Sequence, residues 1–251
     1  MTAKKILAIG AATIASASLS ACGGTGAVGR LGELKRVAQT CPAHADLAAY
    51  VAWDVRRTLR GPRVTAARFE SLEQTAERVA ACGGKMRVVA FGPTAASTAR
   101  LYDGELRPRG ATENARLLRV PHLVDQTLRD VRKELPEVLA EVSGQSADPL
   151  SQFTAAQQFR RQLGSGYSLH VVIETSGNAG ADDAASTLAD NLVVPDLSGA
   201  DVIVSGLGKE GGRAPTPTPV VEGLQHFYNQ VCERTHAAAC LVLTDLAPLG
   251  G

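Results

Sequence analysis

Several short runs of this chain are apolar almost from end to end, and they alternate with longer stretches whose apolar residues recur at helical spacing. The runs are 47–53 (LAAYVAW), 86–91 (MRVVAF), 168–173 (SLHVVI), 201–204 (DVIV) and 240–243 (CLVL). A strand that is apolar in every position has both faces buried, and the usual cover is a helix on each side of a parallel sheet. The stretches between supply the helices. Val64, Ala67, Leu72, Ala76, Val79 and Ala80 lie near helical spacing in 63–81, which ends in Gly83-Gly84. Val124, Leu128, Val131, Leu135, Val138 and Val142 do the same in 121–142, where Pro136 predicts a kink or a split. Asp148-Pro149 opens a helix to about Leu163, and Val220, Leu224, Phe227 and Val231 mark another over 219–231. A third strand, 98–106, is expected beside the second. The expected fold class is α/β: a three-layer, doubly wound, mostly parallel sheet with helices on both faces, forming one domain over residues 41–251.

The first residues are of another kind. Lys4 and Lys5 precede an apolar run too short to span a bilayer, closed by Leu19-Ser20-Ala21-Cys22 and two glycines. Residues 1–21 read as a signal peptide. The LSAC sequence resembles the lipobox of bacterial lipoproteins, which implies cleavage before Cys22 and acylation of its thiol. Residues 22–40, Gly-rich at their start, read as the lipidated cysteine and a tether. Two or three acyl chains hold a protein stably on a membrane. The expected location is the extracytoplasmic face of the bacterial cell membrane.

Cys41, Cys82, Cys232 and Cys240 fit that compartment, because an even set is what disulfides need. Four cysteines allow three pairings. Cys41 with Cys82 and Cys232 with Cys240 are favoured, since each pair flanks one compact unit. No CxxC spacing supports a zinc site. A formal net charge of +1 and an aromatic content of 4% argue against nucleic acid as a partner.

Catalytic motifs fail on inspection. Gly206, Gly208 and Gly211 form a G-L-G-K-E-G run after a strand, but the Pro-rich 213–219 segment that follows cannot begin the phosphate-facing helix a nucleotide needs. The five histidines show no HxxxH spacing, and Ser176 lacks the G-x-S-x-G turn of a nucleophile. No enzyme activity is expected.

Ligands of such sheets bind at the carboxyl ends of the strands, and there the chain resembles the von Willebrand factor type A family. Members of that family end their first strand in D-x-S-x-S, which holds Mg²⁺ or Mn²⁺ at an adhesion site. Here the run is Asp54-Val55-Arg56-Arg57-Thr58, so Asp54 and Thr58 match the first and last ligands while Arg56 replaces the first serine. The family's later T-D-G becomes Thr175-Ser176-Gly177, with Ser176 in place of the carboxylate. The resemblance implies a degenerate metal site in which Arg56 or Arg57 pairs with Asp54, no cofactor in the first reading, and Mg²⁺ or Mn²⁺ in the second. Arg56, Arg57 and Ser176 are the candidate binding-loop residues.

The expected function is a lipid-anchored, non-catalytic interaction module that binds a protein or cell-envelope component. One alternative is metal-dependent ligand binding through Asp54 and Thr58. Another is a small-solute-binding lipoprotein, which the short, singly cored chain disfavours.

Overall fold

The computed structural model describes residues 29–142, 144, 146–177, 193–209 and 215–246. Its first helix, α1 (Arg30–Gln39), leads into the central strand β1 (Asp46–Asp54). Then come α2 (Pro62–Cys82), β2 (Gly84–Phe91), β3 (Thr98–Leu106), the short α3 (Glu113–Leu117) and α4 (Val120–Glu141). The chain finishes with α5 (Pro149–Leu163), β4 (Tyr167–Glu174), β5 (Asp201–Ser205), α6 (Thr218–Thr235) and β6 (Ala239–Val242).

These strands form a six-stranded sheet in the order β3-β2-β1-β4-β5-β6. Every pairing is parallel except β2 with β3. The alternation of β1 shows why it is central. Leu47, Ala49, Val51 and Trp53 enter one core with Leu72 and Val79 of α2 and Val124 and Val131 of α4. Ala48, Tyr50 and Ala52 enter the other with Phe153 and Phe159 of α5 and Leu224 and Val231 of α6. Two buried faces under helices make the expected three-layer, doubly wound α/β fold.

Local chemistry explains several boundaries. Pro62 and Pro149 sit in the first turns of their helices, where a missing N–H costs nothing. The Asp148 carboxylate caps α5 by accepting from Ser151 N at 3.2 Å. Gly83 ends α2 in the left-handed conformation, φ 70°.

Two expectations need correction. The tether drawn to residue 40 includes α1, whose Leu34 lies in the first core, 1% exposed, and whose Arg30 pairs with Glu77 of α2. The domain therefore begins at least ten residues sooner than position 41. Pro136 does not split α4, which runs through it unbroken. It lies on the exposed face, where water can satisfy the carbonyl that loses its donor.

Both favoured disulfides are present, Cys41–Cys82 with Cα atoms 5.4 Å apart and Cys232–Cys240 at 5.9 Å. No helix among the described residues is long and apolar enough to cross a membrane. The signal peptide and Cys22 lie outside the described residues.

Candidate functional site

The chain leaves β1 toward β2 on one side and later returns to β4 on the other, so the order of connection reverses between β1 and β4. Open α/β sheets bind ligands at the carboxyl end of such a reversal. Trp53 of β1 is paired with Glu174 of β4 there, placing Asp54 and Thr175 at the mouth.

Asp54 is fully buried, and its carboxylate is held from three directions. Arg56 wraps back onto it. The guanidinium Nε donates to Oδ1 at 3.1 Å and to Oδ2 at 2.9 Å, and Nη2 donates to Oδ2 at 2.6 Å. The backbone N–H of Arg56 adds a bond to Oδ1 at 3.1 Å. Across the strand boundary, Thr175 Oγ1 donates to Oδ2 at 2.8 Å. Arg56 is itself 4% exposed, so this forked, charge-assisted pair operates out of water.

A second buried pair sits behind the first. Arg68 of α2 donates from Nη2 to the Asp54 carbonyl at 2.6 Å and from Nη1 to the Leu59 carbonyl at 3.3 Å. Its Nε lies 3.5 Å from Glu174 Oε2, and its guanidinium carbon lies 6.0 Å from the centre of the Trp53 ring. Burial pushes the Glu174 carboxyl up to about 7, against the opposing pull of Arg68 and Ser71. Burial likewise lowers the Arg68 guanidinium from its ordinary value.

The loop after β4 is pinned from several sides. Thr175 N donates to Ser205 O at 2.9 Å, and Gly208 N to Ser176 O at 2.9 Å. Gly177 has φ 84°, and a Cβ there would come within 2.7 Å of Leu207 Cδ2, so any side chain at this turn is strained and Leu207 would have to shift. The G-L-G run is the expected tight loop, with Gly206 N bonded to Asp245 O at 3.1 Å. Residues 178–192, which follow Gly177, lie outside the described residues.

The candidates thus separate. Asp54 and Arg56 meet. Arg57 is exposed on the rim. Thr58 Oγ1 is buried with no hydrogen-bond partner and does not join the Asp54 set. Ser176 is fully buried and its Oγ has no partner, so it is not a surface contact. Arg68, Glu174 and Thr175 were missed. Arg68 carried a signal: it stands between Val64 and Leu72 on the apolar stripe of α2, where a charge needs a buried partner.

The residues do not fit a divalent metal at Asp54. Mg²⁺ and Mn²⁺ take hard oxygen ligands, and both oxygens of this carboxylate are bound to a permanent cation. Among the described residues no cluster of three His, Cys, Asp or Glu side chains could hold a metal ion.

No protein-family model matches the sequence, and no curated protein matches it. Solved structures do superpose on the fold. One is the ArnB paralog VWA2 from Sulfolobus acidocaldarius, with 10% identity over 80% of this chain and 42% of that one, TM-score 0.42. Another is the pilus adhesin SpaC from Lactobacillus rhamnosus GG in its open conformation, with 9% identity over 78% of this chain and 30% of that one, TM-score 0.38. The chain spans less than half the length of either.

Proposed function

We propose that this chain is a lipid-anchored, extracytoplasmic, non-catalytic binding module of the von Willebrand factor type A-like kind. It engages a protein or cell-envelope component through the loops at the carboxyl end of its sheet, without a metal ion. The observation that carries this reading is the closed Asp54–Arg56 pair at the reversal between β1 and β4. A carboxylate so placed serves either as a ligand anchor or as a scaffold for the rim, and here its oxygens are already bound. What remains for recognition is the rim itself, where Arg57 is exposed. The short leader ending in LSAC supports the lipid anchor, and the two disulfides support an oxidising compartment.

The test is site-specific photo-crosslinking of the full chain in its native envelope. The probe is placed at Arg57 on the carboxyl-end rim and, as a control, at the exposed Ser198 before β5. A discrete adduct from position 57 that is absent from position 198 is expected. No adduct at 57, or the same adducts at both positions, overturns the reading. Metabolic labelling with palmitate, lost in Cys22→Ser, checks the anchor separately.

A further inference from the structure

We infer that the arginine-rich ledge at the amino-terminal pole of the sheet, residues 107–119, lies against the membrane and rests on anionic phospholipid headgroups. The inference builds on the Cys22 anchor of the proposed function and adds what an anchor alone leaves open, namely which face of the domain meets the bilayer.

The ledge forms where β3, antiparallel to its neighbour, ends at the pole at which β1 and β2 begin. Its sequence, RPRGATENARLLR, holds four arginines and one carboxylate, Glu113, a formal +3 on a chain whose whole charge is +1. The fold draws these charges together. Gly110 backs onto α3 so closely that an added Cβ would lie 3.0 Å from Arg116 Cγ, which sets the end of the 107–110 turn beside Arg116. Arg107, Arg109 and Arg116 line one cleft of about 780 Å³ together with the Cys41–Cys82 disulfide. Arg119 follows one turn after Arg116, its N–H bonded to the Arg116 carbonyl at 2.9 Å. All four arginines are exposed. Arg107 pairs with Asp46, while the other three have no ion-pair partner among the described residues. Leu118, among them, is 65% exposed although Leu117 and Val120 on either side are buried.

Guanidinium forks suit phosphate oxygens, and an apolar side chain set among them reaches the boundary between headgroups and acyl chains. Each basic group held near an anionic membrane strengthens binding about fivefold. An acidic protein would also attract the arginines, and the position of the anchor decides for lipid. Cys22 lies eight residues before Arg30, a reach of at most about 28 Å. Arg30 pairs with Glu77, five residues before the end of α2 and so about 8 Å from this pole. Helix α1 packs against both α2 and α3, so the tether enters the domain beside the ledge. The Asp54 loop lies at the far end of the nine-residue β1, about 30 Å away. With the ledge on the bilayer, that loop faces outward.

The test places a fluorescent amino acid in the full chain at Asn114, exposed on α3, or at Arg57 on the opposite pole. The chain is incorporated into phosphatidylcholine vesicles with or without phosphatidylglycerol, each carrying a headgroup-nitroxide lipid as quencher. Quenching at position 114 should appear with phosphatidylglycerol, fall as salt is raised and stay absent at position 57. Arg109→Glu, Arg116→Glu and Arg119→Glu together should abolish it, whereas lysine at the same three positions should keep it, with circular dichroism unchanged in both. Equal quenching at 114 and 57, quenching at 114 indifferent to phosphatidylglycerol, or quenching that survives the three glutamates would overturn the inference. Vesicle flotation reports the anchor separately. A chain that fails to float with neutral vesicles lacks the anchor, and the ledge is then read from flotation with anionic vesicles, which the three glutamates should abolish. Flotation with neither vesicle overturns the ledge as well.

Discussion

Glu174 and His170 lie four residues apart on one face of β4, both buried, and α2 sets Arg68 beside the first and Arg78 near the second. Burial acts on them in opposite senses. It raises the Glu174 carboxyl from 4.5 to about 7 and, helped by Arg78, lowers the His170 imidazole from 6.5 to about 4.

Their effects on stability should oppose each other. The Glu174 contribution is full below pH 4.5 and is lost as pH rises through about 7. The His170 contribution is full above pH 6.5 and is lost as pH falls through about 4. Each is worth about 3 kcal/mol at about 1.4 kcal/mol per unit. Between these limits they largely cancel. Urea unfolding from pH 4.5 to 6.5 should show Glu174→Gln gaining stability with rising pH and His170→Gln losing it. Parallel slopes in the two variants would refute the opposition.

The Asp54–Arg56 pair should be far worse broken than replaced. Arg56→Ala leaves a buried, uncompensated carboxylate and should cost about 3–5 kcal/mol. Asp54→Asn combined with Arg56→Gln removes both charges and should cost clearly less than Arg56→Ala alone. Denaturant midpoints of the single and double variants measure the coupling.

The Cys41–Cys82 disulfide closes a long segment, with a sequence separation of 41. Replacing both cysteines by serine should cost about 2–4 kcal/mol, mainly through a freer unfolded chain. Thermal unfolding should place the double variant below the wild type without reductant, and reductant, which also opens Cys232–Cys240 in both, should bring the two chains to a common level.

Leu34 tests whether α1 is part of the folded domain. It is 1% exposed in the core shared with α2. Leu34→Ala should cost about 2–5 kcal/mol through lost burial and the cavity left behind. A change below about 0.5 kcal/mol, the scale of a surface position, would return α1 to the tether.

The parallel strands of this protein were legible because their residues are largely apolar on both faces, a pattern that needs no partner to be recognised. Asp148 and Pro149 announced α5 through cap chemistry alone. By contrast, α1 escaped notice because its RLGELKRVAQ sequence places few residues inside, with Leu34 its one large buried side chain. Pro136 misled because the cost of a helical proline depends on whether its orphaned carbonyl faces water. At the site, Asp54 and Arg56 could be read from one short loop. Arg68 with Glu174, and Thr175 with Asp54, could not, since each pair joins segments far apart in the chain that meet only when β4 docks beside β1.

The placement of β1 has a mechanical consequence. Hydrogen-bonded to β2 on one edge and to β4 on the other along most of its length, it runs from the α1 side of the sheet to the Asp54 loop. A pull applied at the amino-terminal end and resisted by something gripping the carboxyl-end loops would load both ladders in shear. Their bonds would have to fail together rather than unzip one by one. The Cys41–Cys82 bond would pass part of that load directly into α2. The molecule is thus braced along the line joining its amino-terminal end to the carboxyl-end loops of the sheet.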